Sequence, residues 1–232
     1  MLVDRQSFQR CLERFKRPGL YGFDTETTGL RAYHGDRLFS LILADETGAL
    51  YFNWQEYPDL EPRFVLGDEH KEALREVFAV EESTWAAHNA KFDLHMLANA
   101  GIEIKGTVHC TQVGARLEHN QHMTYSLDAC ARRIGEAKSK VVDDYIKAHR
   151  LYRFDAVPGE EKPEKAPEFS KVPPSVIVPY GCQDAALTRR LAVGQVGAIA
   201  RAGARQAANW PKPAGVLETE RALTKTLFRM ER

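Results

Sequence analysis

Short apolar runs and helically spaced apolar residues follow one another along the first half of this chain. The runs at 20–25, 37–44 and 49–54 are bounded by turn residues, and each predicts a strand. Apolar residues at helical spacing then predict a helix over 67–80, and a further strand is predicted at 83–88. The first three strands are joined by short turns, so we expect them to be antiparallel.

The second half of the chain predicts mainly helices. In chain order we expect a helix over 89–101, a short strand near 107–112, helices near 111–118, 126–135 and 140–150, and a long helix from Pro174 into the 190s. The segment 155–174 is rich in Pro, Glu and Lys and poor in apolar residues, so we expect a mobile loop there. Antiparallel strands followed by alternating strands and helices predict an α/β fold, a mixed sheet with helices on its faces.

Composition and charge narrow the functional classes. At 232 residues the chain forms one large domain or two small ones, and 44% hydrophobic with 28% charged residues is ordinary for a soluble globular protein. The 32 basic and 32 acidic residues give a formal net charge of zero. This balance argues against a protein that coats nucleic acid through bulk electrostatics, but it allows a local basic groove.

The sequence shows no targeting or membrane signal. The N-terminal stretch "MLVDRQSFQRCLERF" has charges where a signal peptide needs an apolar core, and no apolar run reaches the length of a membrane span. The four cysteines are far apart and form no C-x-x-C pair, which predicts reduced thiols rather than a zinc knuckle. We therefore expect a cytoplasmic protein with no membrane partner.

The stretch "YGFDTETTGL" (21–30) places two carboxylates at the end of a predicted buried strand. Residues two apart in a strand point to the same face, so Asp24 and Glu26 project side by side. Like charges at this separation raise one of the two pKa values unless a cation lies between them. The alternative is a strand that ends in a polar turn, since the Thr-Thr-Gly that follows favours turns. This stretch alone leaves both interpretations open.

Two further stretches carry acidic residues on predicted helices. In "HNAKFDLHMLANAGI" (88–102), Asp93 lies in the first helical turn, where the helix dipole favours a carboxylate, so a structural role is a good explanation. In "VPYGCQDAALTRRL" (178–191), Tyr180 and Asp184 are four residues apart and share one helix face. Taken alone, that pair is explained by a hydrogen bond on a helix surface or by a catalytic pair.

The three stretches together resemble the motifs of the DEDD exonuclease superfamily. The similarity is closest to the 3′–5′ proofreading exonuclease domain of family A DNA polymerases, with "FDTETTGL", "HNAKFD" and "YGCQD" as its three motifs. It continues through "LANAGI" and "YSLDACARRIG" and covers most of residues 18–195. Tyr180 stands four before Asp184, as in the tyrosine branch. The histidine branch would need His where Pro179 stands.

This resemblance implies an RNase H-like fold, a mixed five-stranded sheet with three antiparallel strands, then parallel strands, flanked by helices. It implies that Asp24, Glu26, Asp93 and Asp184 hold two divalent cations, Mg²⁺ or Mn²⁺, and that Tyr180 orients the attacking water. The implied reaction removes nucleotides from single-stranded or frayed DNA 3′ ends and releases nucleoside 5′-monophosphates. The adjacent carboxylates would then tolerate each other because a cation lies between them.

The resemblance also implies a path for the terminal nucleotides. Leu30 would wedge against the terminal base, and Thr25, His88, Asn89 and Phe92 would line the path. Core packing is the alternative for Leu30 and Phe92. Candidates for phosphate contacts are Arg132, Arg133, Lys138 and Lys140. For each of these four, a solvated helix face is the alternative.

The chain divides, on this resemblance, into an exonuclease domain over 1–200, a linker over 201–216 and a helix over 217–232. The final amphipathic helix resembles the start of a polymerase domain. We therefore expect a monomer that works with a polymerase domain in the same polypeptide, in the host cytoplasm if a phage encodes it. Two other functions remain open on the same scaffold, RNA 3′-end trimming and a catalytically silent module that binds single strands.

Overall fold

A five-stranded mixed sheet forms the centre of the fold. The computed structural model describes residues 1–4, 6–54, 67–155, 163–205 and 213–232. The strands are β1 (Leu20–Thr27), β2 (Leu38–Asp45), β3 (Gly48–Asn53), β4 (Thr84–Ala87) and β5 (Thr107–Cys110). Their order in the sheet is β3-β2-β1-β4-β5, with antiparallel pairing from β3 to β1 and parallel pairing from β1 to β5. The predicted α/β fold with a mixed sheet is confirmed.

Helices surround this sheet. They are α1 (Phe8–Leu12), α2 (Asp68–Phe78), α3 (Ala90–Asn99), α4 (Thr111–Glu118), α5 (Leu127–Arg133), α6 (Val141–His149), α7 (Pro174–Arg205) and α8 (Pro213–Met230). The helix α1 was not predicted from the sequence, because it is only 5 residues long. Both α7 and α8 extend into the predicted linker 201–216, of which 206–212 lie outside the described residues. None of the helices that the structure describes is long and apolar enough to cross a bilayer.

Alternate side chains of β2 are buried on opposite faces of the sheet. Leu41 and Leu43 belong to a cluster with α2 and α3, whereas Ile42 and Ala44 belong to a cluster with α6 and α7. This division follows from the strand period of two, which sends alternate side chains to opposite faces. The continuous apolar run of β2 is therefore explained by burial on both sides. As a result, α7 lies directly across β1 and β2, and its polar residues come close to the end of β1.

A two-stranded ribbon includes part of the segment 155–174, which was predicted as a mobile loop. Its strands, β6 (Tyr152–Asp155) and β7 (Glu164–Pro167), pair antiparallel, and a single 3₁₀ turn (Phe169–Lys171) leads to α7. The prediction of a mobile loop is therefore wrong for Glu164–Pro167 and Phe169–Lys171, while 156–162 lie outside the described residues. Side-chain contacts explain the difference, because Lys165 Nζ lies 3.8 Å from the centre of the Tyr152 ring. Such long-range contacts are not visible in composition.

Candidate active site

The carboxyl end of β1 opens into a cleft of about 360 Å³. Asp24 and Glu26 line the cleft from β1, and Tyr180 and Asp184 line it from α7. This placement follows from the sheet order, because α7 packs across β1 where the strand ends. The structure therefore brings the acidic residues of the first and third predicted motifs into one cleft, which Phe92 of the second motif also lines.

Asp93 joins the same group from α3. The strand β4 runs parallel to β1, so the helix that follows β4 begins at the edge of the sheet where β1 ends. Asn89 turns the chain between them with a positive φ of 62°. The hydroxyl of Thr25 donates a hydrogen bond of 2.6 Å to Asp93 Oδ1. Asp93 is thus held against β1, directly beside the Asp24–Glu26 pair.

A glycine leaves room for the Glu26 side chain against α7. A Cβ at Gly181 would lie 3.0 Å from the Tyr51 ring and 3.2 Å from Glu26 Oε1. These separations are tighter than ordinary van der Waals contact, so a larger side chain at this position would require the Tyr51 and Glu26 side chains to shift. Gly181 stands next to Tyr180 in the sequence, and its place in a helix is the signal that marks this close approach.

Burial raises the pKa values of all four carboxyl groups, and repulsion from neighbouring carboxylates adds to this rise for Asp24 and Glu26. Burial raises the pKa of Glu26 to about 8, with repulsion from Asp184 adding to it. Burial likewise raises the pKa of Asp93 to about 7, against the hydrogen bond from Thr25. The pKa of Asp24 is raised well above its ordinary value by burial, then by the charges of Asp93, Asp184 and Glu26. At neutral pH this group therefore favours either protons or an added cation.

Lys138 places a positive charge next to these carboxyl groups. Its Nζ lies 2.6 Å from Asp184 Oδ2 and 4.8 Å from the centre of the Tyr180 ring. Burial raises the pKa of Asp184, and the charge and hydrogen bond of Lys138 oppose this rise. Lys138 stands between α5 and α6 and lines the cleft, so it is not a residue of a solvated helix face. Only the tertiary structure reveals that its charge is directed inwards.

Tyr180 keeps its proton over a wide pH range. Burial raises the pKa of its hydroxyl, and the negative charge of Asp184 raises it further. Its ring is 7% exposed and packs near Phe169, which also lines the cleft. A neutral hydroxyl donates or accepts hydrogen bonds but does not remove a proton from water. The geometry therefore suits a positioning group.

Comparisons with known proteins identify the family of this chain. A family model described as a 3′–5′ exonuclease matches residues 3–192. The chain belongs to this exonuclease family. The exonuclease domain is 31% identical over 179 residues to DNA polymerase DpoZ of Salmonella phage PMBT28 and 26% identical over 189 residues to DNA polymerase I of Chloroflexus aurantiacus. The alignments cover 77% and 81% of this chain but only 26% and 18% of the two polymerases.

Solved structures show the same fold at low sequence identity. A nuclease in its apo form superposes with a TM-score of 0.67 at 16% identity, covering 99% of this chain and 89% of that one. RNase D of Escherichia coli, an exoribonuclease, superposes with a TM-score of 0.62 at 15% identity, covering 97% of this chain and 50% of that one. The predicted RNase H-like fold of the exonuclease domain is confirmed.

The residues predicted to contact nucleic acid occupy two different places. Thr25, Leu30 and Phe92 line the cleft, and Leu30 is 80% exposed there. His88 instead bonds to the Thr111 hydroxyl at 2.9 Å and to the Tyr125 carbonyl oxygen at 2.8 Å. Burial lowers the pKa of His88 to about 4, so the ring is neutral at physiological pH. These contacts tie the end of β4 to α4.

Asn89 and most of the predicted phosphate contacts lie outside the cleft. Asn89 is exposed at the start of α3 and does not line the cleft that Leu30 and Phe92 line. Among the predicted phosphate contacts, Arg132 pairs with Asp128 at 2.5 Å, and Arg133 donates to the Thr124 carbonyl oxygen at 2.6 Å. Of the four predicted phosphate contacts, only Lys138 lines the cleft.

Two carboxylate oxygens in the candidate active site are free to bind a cation, because they have no hydrogen-bond partner. Glu26 Oε1 and Asp184 Oδ1 are buried and have no hydrogen-bond partner. Buried acceptors without a partner are rare in folded proteins, and a cation satisfies them. Within the described residues, no three acidic, histidine or cysteine side chains already converge into a ready-made metal cage. The donor set therefore suits divalent cations, with Lys138 lying beside Asp184.

Replacement of Glu26 by glutamine tests this electrostatic description. Because folding raises the pKa of Glu26 from 4.5 to about 8, its contribution to stability is present below about pH 5 and is lost as pH rises towards 8. In a chelator, we expect Glu26→Gln to melt above the wild type at pH 8 and to lose much of the pH dependence. Each 1 kcal/mol corresponds to roughly 2–4 °C in a chain of this size.

The measurement is thermal unfolding in EDTA from pH 5 to pH 8. The matched control is Glu82→Gln, which alters an exposed glutamate. Parallel melting curves for Glu26→Gln and the wild type across this range would contradict the description.

Proposed function

We propose that this exonuclease domain removes nucleotides from unpaired 3′ ends of DNA by cation-dependent hydrolysis, and that it proofreads for a DNA polymerase. One observation carries the proposal. Asp24, Glu26, Asp184 and the buried Tyr180 line one cleft, Asp93 is held beside them by Thr25, and two of the carboxylate oxygens have no partner. A site of this kind is costly to the fold unless charge of the opposite sign enters it.

Asp24, Glu26, Asp93 and Asp184 are the proposed ligands of Mg²⁺ or Mn²⁺. Bound divalent cations would lower the pKa of the attacking water and neutralise negative charge on the scissile phosphate. The chain's own groups prepare this site. Thr25 fixes the carboxylate of Asp93 through the 2.6 Å hydrogen bond. The distance across the site depends on the packing of α7 against β1.

Tyr180 and Lys138 are the proposed partners of the attacking water and the phosphate. The neutral hydroxyl of Tyr180 is beside Asp184 and orients a water by hydrogen bonding. Lys138 carries a full positive charge, because the charge of Asp184 raises its pKa although burial acts in the opposite direction. A scissile phosphate in the cleft lies within reach of that charge, and the released product is a nucleoside 5′-monophosphate.

Unpaired ends are the proposed substrate because exposed apolar groups border the cleft. Leu30 and the half-buried Phe92 offer surfaces on which an unpaired base packs without sequence preference. The similarity to DNA polymerases favours DNA. RNA trimming is the second candidate, since the fold is shared with an exoribonuclease. A catalytically silent module that binds single strands is the third candidate. The presence of all four proposed cation ligands and of Tyr180 argues against it.

A gel assay tests the proposed function directly. We expect 5′-labelled single-stranded DNA to shorten from its 3′ end with Mg²⁺ or Mn²⁺, and Asp24→Ala or a chelator to abolish the ladder. A matched RNA strand is expected to be cut more slowly, because sites that distinguish the two read the 2′-hydroxyl. Faster cleavage of RNA would favour the trimming enzyme. An intact band despite tight binding would favour the silent module.

Lys138→Met tests the proposed phosphate contact. We expect kcat at saturating metal to fall on the order of 10²-fold, as for the loss of one group that stabilises charge in a transition state. Lys140→Met is the matched control, because Lys140 is exposed and does not line the cleft. Equal kcat values for the two variants would exclude a role for Lys138 in turnover.

A polymerase region in the same polypeptide is the proposed partner. The matched relatives are DNA polymerases of which the alignment spans about a quarter or less. On α8, Leu217 is buried, whereas Leu223, Leu227 and Met230 are 41%, 39% and 77% exposed. These three residues offer an apolar surface for a following domain. The mass of the native gene product is the test, and a product of only 26.2 kDa would leave the nuclease to act alone.

A further inference from the structure

The loop between β1 and β2 is organised around one buried carboxylate. Asp36 is 8% exposed and accepts hydrogen bonds from the Thr28 hydroxyl at 3.2 Å and the Arg31 backbone N–H at 2.9 Å. This loop carries Leu30, the exposed leucine of the cleft. The position of Leu30 therefore depends on Asp36 remaining in place.

The third partner of Asp36 comes from the ribbon. Arg153 on β6 donates from Nη2 to Asp36 Oδ1 at 2.7 Å and from Nε to Asp155 Oδ2 at 2.9 Å. Burial would raise the pKa of Asp36, but the hydrogen bond and charge of Arg153 hold that pKa below its ordinary value. A side chain at Gly29 would overlap both Arg153 and Asp36. The loop and the ribbon are thus joined by a close, charged contact.

This contact closes one side of the cleft. The loop contributes Leu30 and Arg31 to the lining, and the ribbon contributes Arg153, Lys165 and Pro167. Three carboxyl groups of the candidate active site, those of Asp24, Glu26 and Asp184, line the same cleft. A paired 3′ end needs more width than a single strand, so it requires the loop and the ribbon to separate. Separation breaks this partly buried ion pair and leaves the carboxylate of Asp36, which is 8% exposed, without its charged partner, which is unfavourable.

We propose that Asp36 and Arg153 are positioning residues that hold the Leu30 loop against the ribbon and so make the cleft selective for unpaired 3′ ends. This proposal rests on the proposed exonuclease function. Neither Asp36 nor Arg153 is among the proposed cation ligands. The two residues act by limiting the distance between the Leu30 loop and the ribbon, and that distance determines which DNA ends enter the cleft.

The test compares cleavage of a single strand with cleavage of the same strand in a blunt duplex. We expect Arg153→Met and Asp36→Asn to lower the ratio of the two kcat/KM values by about tenfold, with KM for the single strand changing more than kcat. The double variant is expected to equal the more affected single variant, because the two residues act through one contact. Arg75→Met is the matched control, since Arg75 pairs with Glu72 outside the cleft.

A merely structural role gives a different result. Loss of folded protein lowers cleavage of both substrates equally and leaves their ratio unchanged, and melting curves report the folded fraction separately. Arg153→Lys, which keeps the charge but makes fewer hydrogen bonds, is expected to give an intermediate ratio. A wild-type ratio in folded Arg153→Met would overturn the proposal. A wild-type protein that cuts neither substrate would instead overturn the exonuclease function.

Discussion

Repulsion among buried carboxyl groups is the constraint on which the rest of this structure depends. Burial raises their pKa values, and neighbouring carboxylates raise those of Asp24 and Glu26 further. The charge of Lys138 and the hydroxyl groups of Thr25 and Tyr180 oppose this rise. The fold therefore tolerates the four carboxyl groups without satisfying all of their oxygens, two of which have no partner. Under the proposed function, divalent cations would satisfy these oxygens.

The mixed sheet is what allows residues far apart in sequence to share this site. The antiparallel strands build a broad platform, and the parallel strand β4 places the start of α3 beside the end of β1. The helix α7 then crosses the opposite face of β1 and adds its tyrosine and aspartate. Each carboxyl group is carried by a regular element with a packed side. Fixed elements hold charges that would otherwise move apart.

The sequence could predict the five strands of the central sheet and most helices because their signals are local, whereas the set of four carboxyl groups was predicted from the resemblance to the exonuclease family. A period of two places Asp24 beside Glu26, and a spacing of four places Tyr180 over Asp184. The contacts of Lys138 and Arg153 could not be predicted, because their partners lie far away in the chain. The same reason explains the ribbon, whose composition resembles that of a loop. The role of His88 could not be predicted for the same reason, because its partners Thr111 and Tyr125 are distant in the sequence and join the end of β4 to α4.

The glycine beside the catalytic tyrosine candidate has a consequence for how this site tolerates change. Because Gly181 has no side chain, α7 packs directly against the Tyr51 ring and the Glu26 carboxyl group. A methyl group added at Gly181 would meet these two side chains at 3.0 and 3.2 Å, so they would have to shift by a few tenths of an ångström. The atom that it would displace on Glu26 is Oε1, which is buried and has no hydrogen-bond partner. A single methyl group at a position that carries no charge would therefore alter the candidate active site directly.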